Sequence, residues 1–170
     1  YGEGSTFLFT AKFAIADIVT TQADVSPESL LDLPMLIVDD SVAAREILFT
    51  LSESLGFRPD LAATGAEAIE KIKLADNQGE PYQLILADWK MPQMDGLMLC
   101  KTIQDDATLV NQPKLVIITA YDRDEMLKQA DKVQLDSAIT KPVSASTLFD
   151  TVMAVMGKTS PQPATKQRGK

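Results

Sequence analysis

Short apolar runs that each end at a polar residue constrain this chain more than any other feature. Each run is shorter than a typical helix, and stretches with helical spacing of apolar residues separate the runs. This alternation is typical of buried parallel strands joined by helices. The runs with the residues that follow them are Met35–Val38 with Asp39 and Asp40, Leu84–Ala87 with Asp88, Leu115–Ile118 with Thr119, and Ser137–Thr140 with Lys141.

The order of the predicted elements indicates the fold class. Strands that alternate with helices form a parallel sheet with right-handed crossovers and helices on both faces. We therefore predict an α/β, flavodoxin-like, doubly wound sheet of five parallel strands in the order 2-1-3-4-5. The predicted strands are 35–38, 58–62, 84–88, 114–119 and 137–140, and the predicted helices are about 41–55, 64–75, 97–104, 123–130 and 144–156.

Local signals support the ends of these helices. Ser41 and Ser144 are suitable N-caps, and Gly56 is placed to end the first helix. The sequence from Thr64 to Glu67 resembles a capping box. The apolar side of the first helix is expected to contain Val42, Ile47, Leu48, Leu51 and Leu55.

The composition divides the chain into four segments. Residues 1–16 alternate between apolar and less apolar side chains, which predicts a half-buried strand that needs a pairing partner. Residues 17–33 are predicted to be a linker, in which residues 26–31 could begin a short helix. The main domain is predicted at residues 34–157, and the tail at 158–170 is expected to be disordered.

Charge and residue usage exclude several classes of function. The net charge of -8 argues against nucleic acid and anionic membranes as partners. The absence of histidine excludes a phosphohistidine or a histidine metal site on this chain. The single cysteine, Cys100, is predicted to be a buried thiol, which fits a reducing, cytoplasmic setting. The sequence contains neither an apolar run of membrane-spanning length nor a signal peptide.

The polar residues after the strands predict a common site. Because the carboxyl ends of parallel strands meet at one crevice, Asp39, Asp40, Asp88, Thr119 and Lys141 should converge. Carboxylates are suitable ligands for Mg2+, and a carboxylate can also accept a phosphoryl group. The hydroxyl of Thr119 and the ammonium of Lys141 can bind phosphoryl oxygens. A cis peptide bond before Pro142 would fix the loop that carries the lysine.

Four motifs resemble the receiver domain of two-component response regulators over about residues 34–157. They are Val38-Asp-Asp-Ser41, Asp88 to Gly96, Ile118-Thr-Ala120 and Thr140-Lys-Pro142. The resemblance implies that Asp88 accepts a phosphoryl group from a phosphohistidine on a histidine kinase dimerisation domain or a histidine phosphotransfer domain. It also implies that Asp39, Asp40, Asp88 and the backbone carbonyl of Lys90 hold Mg2+. Thr119 and Lys141 would bind the phosphoryl group and couple it to a shift of the face formed by the last strand and its flanking helices.

A second resemblance concerns the segment from Gly2 to Thr10. It is similar to the last glycine-rich box of the histidine kinase ATP-binding domain and the strand that follows it. Before a linker and a receiver, this similarity indicates a piece of a hybrid histidine kinase, whose parent protein could be membrane-anchored. The piece lacks the other nucleotide-binding boxes and the phosphorylated histidine, so we expect neither ATP binding nor kinase activity from it.

Two residues depart from the receiver pattern. Ala138 stands where family members often carry an aromatic switch residue, although Tyr121 could replace it. Lys90, two residues after Asp88, could pair with a carboxylate or screen the phosphoryl group from water. A phosphatase of the haloacid dehalogenase type usually carries an aspartate at that position, so Lys90 disfavours this alternative. A non-phosphorylated protein-binding module is the remaining alternative function, and among the partners a second copy of the chain could form a weak homodimer.

Overall fold

A five-stranded parallel sheet organises the protein, and its strand order is β2-β1-β3-β4-β5. The computed structural model describes residues 30–120, 126, 128, 130 and 133–157. The order and direction of the strands confirm the predicted flavodoxin-like fold. The elements are β1 (Pro34–Val38), α1 (Val42–Ser54), β2 (Arg58–Ala62), α2 (Gly65–Asn77), β3 (Leu84–Asp88), α3 (Gly96–Asp105), β4 (Lys114–Thr119), β5 (Ser137–Thr140) and α4 (Ala145–Met156).

The middle strands are buried because helices cover both faces of the sheet. All five residues of β3 are buried, and β1 and β4 are buried after their first residue. By contrast, β2 lies at an edge, where Arg58 is exposed and only Ala62 is fully buried. Continuous apolar runs are therefore found where both faces are covered, as expected for a parallel sheet.

Side-chain caps begin each helix at the residue where a strand or loop ends. Ser41, Thr64, Asp95 and Ser144 each accept a hydrogen bond from a backbone N–H in the first helical turn. The predicted capping box of α2 is modified, because the Glu67 carboxylate accepts from Ala63 N–H at 2.8 Å. Gly56 has a φ of +83°, the left-handed conformation that glycine adopts readily after a helix.

Two apolar clusters form the core, one on each face of the sheet. Cys100 is buried in one cluster, as predicted, and burial raises the pKa of its thiol to about 12. The predicted apolar side of α1 is wrong in part. Leu48 is buried, but Val42 and Ile47 are each 60% exposed.

The packed unit begins at least four residues before the predicted domain boundary at residue 34. Leu30 and Leu33 are only 3% and 4% exposed and belong to the cluster that contains Leu48 and Phe57. The backbone of this segment bonds to the turn after α1, with Asp32 N–H donating to the Gly56 carbonyl at 2.7 Å. The end of the predicted linker is therefore part of the core.

Several predictions concern residues outside the described ranges. They are the strand within residues 1–16, the linker up to residue 29, most of the helix at 123–130, Tyr121 and the tail after Gly157. Among the described helices, none combines the length and the apolar character that a membrane span requires.

Candidate functional site

The carboxyl edge of the sheet brings four of the five predicted site residues to neighbouring strand ends. Asp39 directly follows β1, Asp88 ends β3, Thr119 ends β4 and Lys141 directly follows β5. In the strand register, Asp88 lies opposite Ile118 and Thr119 lies opposite Thr140. These residues are neighbours because each crossover returns the chain to the same edge of the sheet.

The ammonium group of Lys141 joins two carboxylates at this edge. Its Nζ lies 2.9 Å from Asp39 Oδ2 and 2.5 Å from Asp88 Oδ1. The side chains of Asp39 and Asp88 are 2% and 10% exposed, and that of Lys141 is 29% exposed. Two buried carboxylates thus share one cation, which leaves the group with a net negative charge.

The loop between β1 and α1 holds Asp39 from several sides. Its Oδ1 accepts the Ser41 N–H at 2.9 Å, and its backbone N–H donates to the Ala62 carbonyl at 3.3 Å. The guanidinium of Arg45 donates to the Asp39 carbonyl at 2.5 Å. The bond from Ser41 orients the Asp39 carboxylate, and the bonds to Ala62 and Arg45 fix the backbone that carries it.

The loop after β3 is closed tightly around Asp88. Asp88 Oδ2 accepts a hydrogen bond from the Lys90 N–H at 2.9 Å, and the Gly96 N–H donates to the Trp89 carbonyl at 2.9 Å. A Cβ added to Gly96 would lie 2.3 Å from the Asp88 carbonyl oxygen, so only glycine fits at this close approach. The loop therefore holds the Asp88 carboxylate in a defined position.

Thr119 and Lys141 are connected through the backbone. The Lys141 N–H donates to the Thr119 carbonyl at 2.7 Å, and the Thr119 side chain is fully buried. The peptide bond between Lys141 and Pro142 is cis, as the sequence suggested. Ala138 of β5 lies opposite Ile117 of β4 and packs against the apolar cluster to which Ile117 belongs.

Burial and charge change the protonation equilibria of the paired groups. Burial raises the pKa of Asp88, and the neighbouring Asp39 carboxylate raises it further, while the shared Lys141 ammonium lowers it without reversing the shift. Burial lowers the pKa of Lys141, but its hydrogen bonds to Asp39 and Asp88 outweigh this effect and raise the pKa overall. Lys141 is therefore charged at neutral pH.

Asp40 is placed differently from the two buried aspartates. It is exposed, and the described residues contain no group of three or more carboxylate or thiol side chains close enough to hold a metal ion. Of the three aspartates predicted to converge, Asp39 and Asp88 both contact Lys141, whereas Asp40 faces solvent. Carboxylate and backbone oxygens are nevertheless the donors that Mg2+ prefers, and the surplus negative charge favours a cation, so the residues fit this metal.

The side chain of Lys90 does not pair with a carboxylate among the described residues, and the other role that the sequence left open, screening of a phosphoryl group, stays a prediction. Its Nζ lies 3.8 Å from the centroid of the Trp89 ring, which is a cation–π contact. Trp89 is only 1% exposed, so the ring is buried beneath this contact. The sequence shows that the two residues are adjacent but does not show the side-chain rotamer that joins them.

An apolar groove beside Lys141 was not predicted from the sequence. Its volume is about 290 Å³, and it lies between α1 and the segment after β5. The extra apolar residues of α1, such as Ile47, are the sequence signal for this groove, but helical periodicity alone predicts that they face the core. The lining residues are Ala44, Ile47, Leu48, Lys141, Pro142 and Val143.

Comparison with known proteins identifies the family. Residues 35–153 match the response regulator receiver domain. CheY-3 of Vibrio cholerae is 34% identical over 118 residues, which are 69% of this chain and 86% of the relative. CheY1 of Helicobacter pylori is 30% identical over 74% of this chain and 98% of the relative. CheY in a CheX–CheY–BeF3–Mg2+ complex from Borrelia burgdorferi is 27% identical, with a TM-score of 0.66 and coverage of 79% and 96%. The chain therefore belongs to the response regulator receiver domain family.

Proposed function

We propose that this receiver accepts a phosphoryl group on Asp88 from a phosphohistidine, in a Mg2+-dependent reaction. The observation that carries the proposal is the shared ammonium, because Lys141 bonds to both Asp39 and Asp88 at the carboxyl edge of the sheet. A surplus of buried negative charge around one aspartate is suited to a cation and to a phosphoryl group that the cation accompanies.

The chemistry assigns a separate role to each residue. A carboxylate oxygen of Asp88 attacks phosphorus, an O–P bond forms, and the N–P bond of the phosphohistidine breaks so that neutral imidazole leaves after protonation. Lys141 and Thr119 stabilise the charge on the transferring phosphoryl oxygens. Asp39, Asp40, Asp88 and the Lys90 carbonyl would hold Mg2+, which when bound neutralises phosphoryl charge.

The groove beside Lys141 suits the partner that carries the phosphohistidine. Its exposed apolar lining, including Ile47, adjoins the ammonium that contacts Asp88. An apolar helix surface laid in such a groove would bring a histidine side chain to the edge of the site. We propose a histidine kinase dimerisation domain or a histidine phosphotransfer domain as this partner, without a requirement for nucleic acid or a membrane surface.

The parent protein is proposed to be a hybrid histidine kinase that presents this receiver in the cytoplasm. The support is the similarity of residues 2–10 to a glycine-rich box of the kinase ATP-binding domain. In this proposal the receiver follows a linker at about residues 17–33 and ends near residue 157. The sequence upstream of Tyr1 in the source gene tests it, because a hybrid kinase requires a phosphorylatable histidine and further nucleotide-binding boxes there.

Mass spectrometry after incubation with acetyl phosphate tests the phosphoryl acceptor. With Mg2+, the wild type should gain one phosphoryl group that is labile to alkali and hydroxylamine, and the gain should disappear with EDTA or in Asp88→Asn. Asp105→Asn is a matched control, since Asp105 lies at the far end of α3. Equal labelling of the wild type and Asp88→Asn would refute the assignment, and absence of labelling in the wild type would favour a non-phosphorylated binding module.

A further inference from the structure

The contact between Lys90 and Trp89 lies directly beside Asp88 and has no role in the reaction described above. Trp89 is 1% exposed, whereas Lys90 is exposed and covers the Trp89 ring with its ammonium group. Lys90 forms no ion pair with a carboxylate in the part of the chain that the structure describes. Its charge is therefore available to a stronger anionic partner.

The backbone places Lys90 within reach of that partner. Its N–H donates to Asp88 Oδ2 at 2.9 Å, so the base of the lysine side chain is adjacent to the acceptor carboxylate. A lysine ammonium is carried by a flexible four-carbon stem. Rotation of this stem can move Nζ from the Trp89 ring towards an oxygen bound to Asp88 without moving the backbone.

The balance of charges favours this movement once Asp88 is phosphorylated. An acyl phosphate carries more negative charge than the carboxylate from which it forms, and Lys141 is already shared between Asp39 and Asp88. A charge-assisted hydrogen bond to a phosphoryl oxygen is stronger than an exposed cation–π contact. The ammonium of Lys90 thus gains stability when it exchanges the ring for the phosphoryl group.

We propose that Lys90 is a phosphoryl-sensing residue whose ammonium leaves the Trp89 ring when Asp88 carries a phosphoryl group, uncovering one face of the indole. The proposal rests on the proposed function of Asp88. It gives the chain a phosphorylation-dependent surface change beside β3, although Ala138 lacks the aromatic ring that family members often carry at that position. Lys90 recognises the phosphoryl group, and the exposure of the Trp89 indole reports that it is bound.

Acrylamide quenching of tryptophan fluorescence tests the exchange, because Trp89 is the only tryptophan. Beryllium fluoride with Mg2+ serves as a stable phosphoryl mimic on the full chain. In the wild type the quenching constant should rise when the mimic binds. In Lys90→Met, which has no charge to move to the mimic, the quenching constant should change little when the mimic binds, and we expect about tenfold weaker affinity for the mimic. These substitutions leave the Lys90 backbone carbonyl in place.

Two further variants separate sensing from a structural or general charge effect. Lys90→Arg should restore both the rise in quenching and the affinity, since arginine can make both contacts. Lys101→Met removes the same charge from an exposed position on α3 and should match the wild type. If Lys90→Met behaves as the wild type while both bind the mimic, the inference is wrong and the proposed function stands. If the wild type does not bind the mimic, both are overturned.

Discussion

Two lysine–carboxylate groups lie at opposite edges of the sheet, and their charges are balanced differently. At the amino end, Lys114 lies 3.1 Å from Asp136, whose other oxygen accepts the Leu115 N–H at 2.9 Å. Each charge in that pair has one opposite partner. At the carboxyl edge, the single ammonium of Lys141 forms ion pairs with both Asp39 and Asp88.

The difference separates a structural pair from a site that requires a further ligand. The Lys114–Asp136 pair is about one quarter exposed on both sides and its hydrogen bonds are satisfied, so it holds two strand ends together. The carboxyl-end group is more deeply buried at its carboxylates and keeps a net negative charge. Surplus buried charge costs stability, and a protein retains such a cost where ligand binding can offset it.

Loss of each lysine should have very different effects on labelling of Asp88. Lys141→Met removes a group that stabilises phosphoryl oxygens, so we expect labelling by acetyl phosphate to be slower by about 100-fold. Its Mg2+ affinity should not fall, because a positive charge has been removed from beside the carboxylates. Lys114→Met is the matched variant at the other strand end and should label at the wild-type rate. Equal rates in the two variants would remove the functional distinction between the two ends.

Rigidity of the site can be tested with two glycines. Gly96→Ala places a Cβ against the Asp88 carbonyl oxygen at 2.3 Å, and the backbone cannot yield easily. We expect a loss of about 3 kcal/mol in the free energy of unfolding, measured by urea titration. Gly65→Ala meets the flexible side chain of Met94 instead and should cost clearly less. Equal losses would mean that the loop after β3 relaxes and does not hold Asp88 rigidly.

Neutralising an aspartate should change stability in opposite directions at the two ends. In metal-free buffer near neutral pH, Asp88→Asn should stabilise the protein by about 1 kcal/mol, because burial opposes ionisation of Asp88. Asp136→Asn should destabilise it by about 1 kcal/mol, because it breaks the pair with Lys114. Urea titrations of both variants with EDTA measure these differences, and destabilisation by Asp88→Asn would contradict the interpretation of the site.

The pH dependence of the Asp88→Asn effect follows from the direction of its pKa shift. The folded-state pKa of Asp88 is raised above the ordinary value of 3.8, so between these two pKa values the native protein binds more protons than the unfolded chain. Wild-type stability from this group therefore falls as the pH rises through that interval. Below pH 3.8 Asp88 is neutral in both states, and the gain from Asp88→Asn should disappear.

Most of the fold could be predicted because its signals are local. β2, β4, β5 and the end of β3 lie where the apolar runs and the turn residues placed them. The buried side of α1 was harder, because helical periodicity finds apolar residues without showing whether the sheet or a groove covers them. Burial of Leu30 and Leu33 could not be predicted, because the surrounding Asp, Ser and Pro residues are typical of a linker.

The site could be predicted as a set of residues but not as a set of contacts. Convergence of strand ends explains why Asp39, Asp88, Thr119 and Lys141 are neighbours. It does not give side-chain rotamers, so the bridge from Lys141 to both carboxylates and the exposed position of Asp40 emerge only from the structure. The same limit applies to Lys90 on Trp89.

Burial of Leu30 and Leu33 has a practical consequence for isolating this domain. A protein that starts at Pro34 would lose two leucines from the cluster around Leu48 and Phe57 and would expose apolar surface at the turn after α1. Such a shortened chain would be prone to association for reasons unrelated to signalling. An expressed domain should therefore begin at residue 30 or earlier. A protein fused before that residue would be joined at the amino edge of the sheet, opposite the edge that carries Asp88.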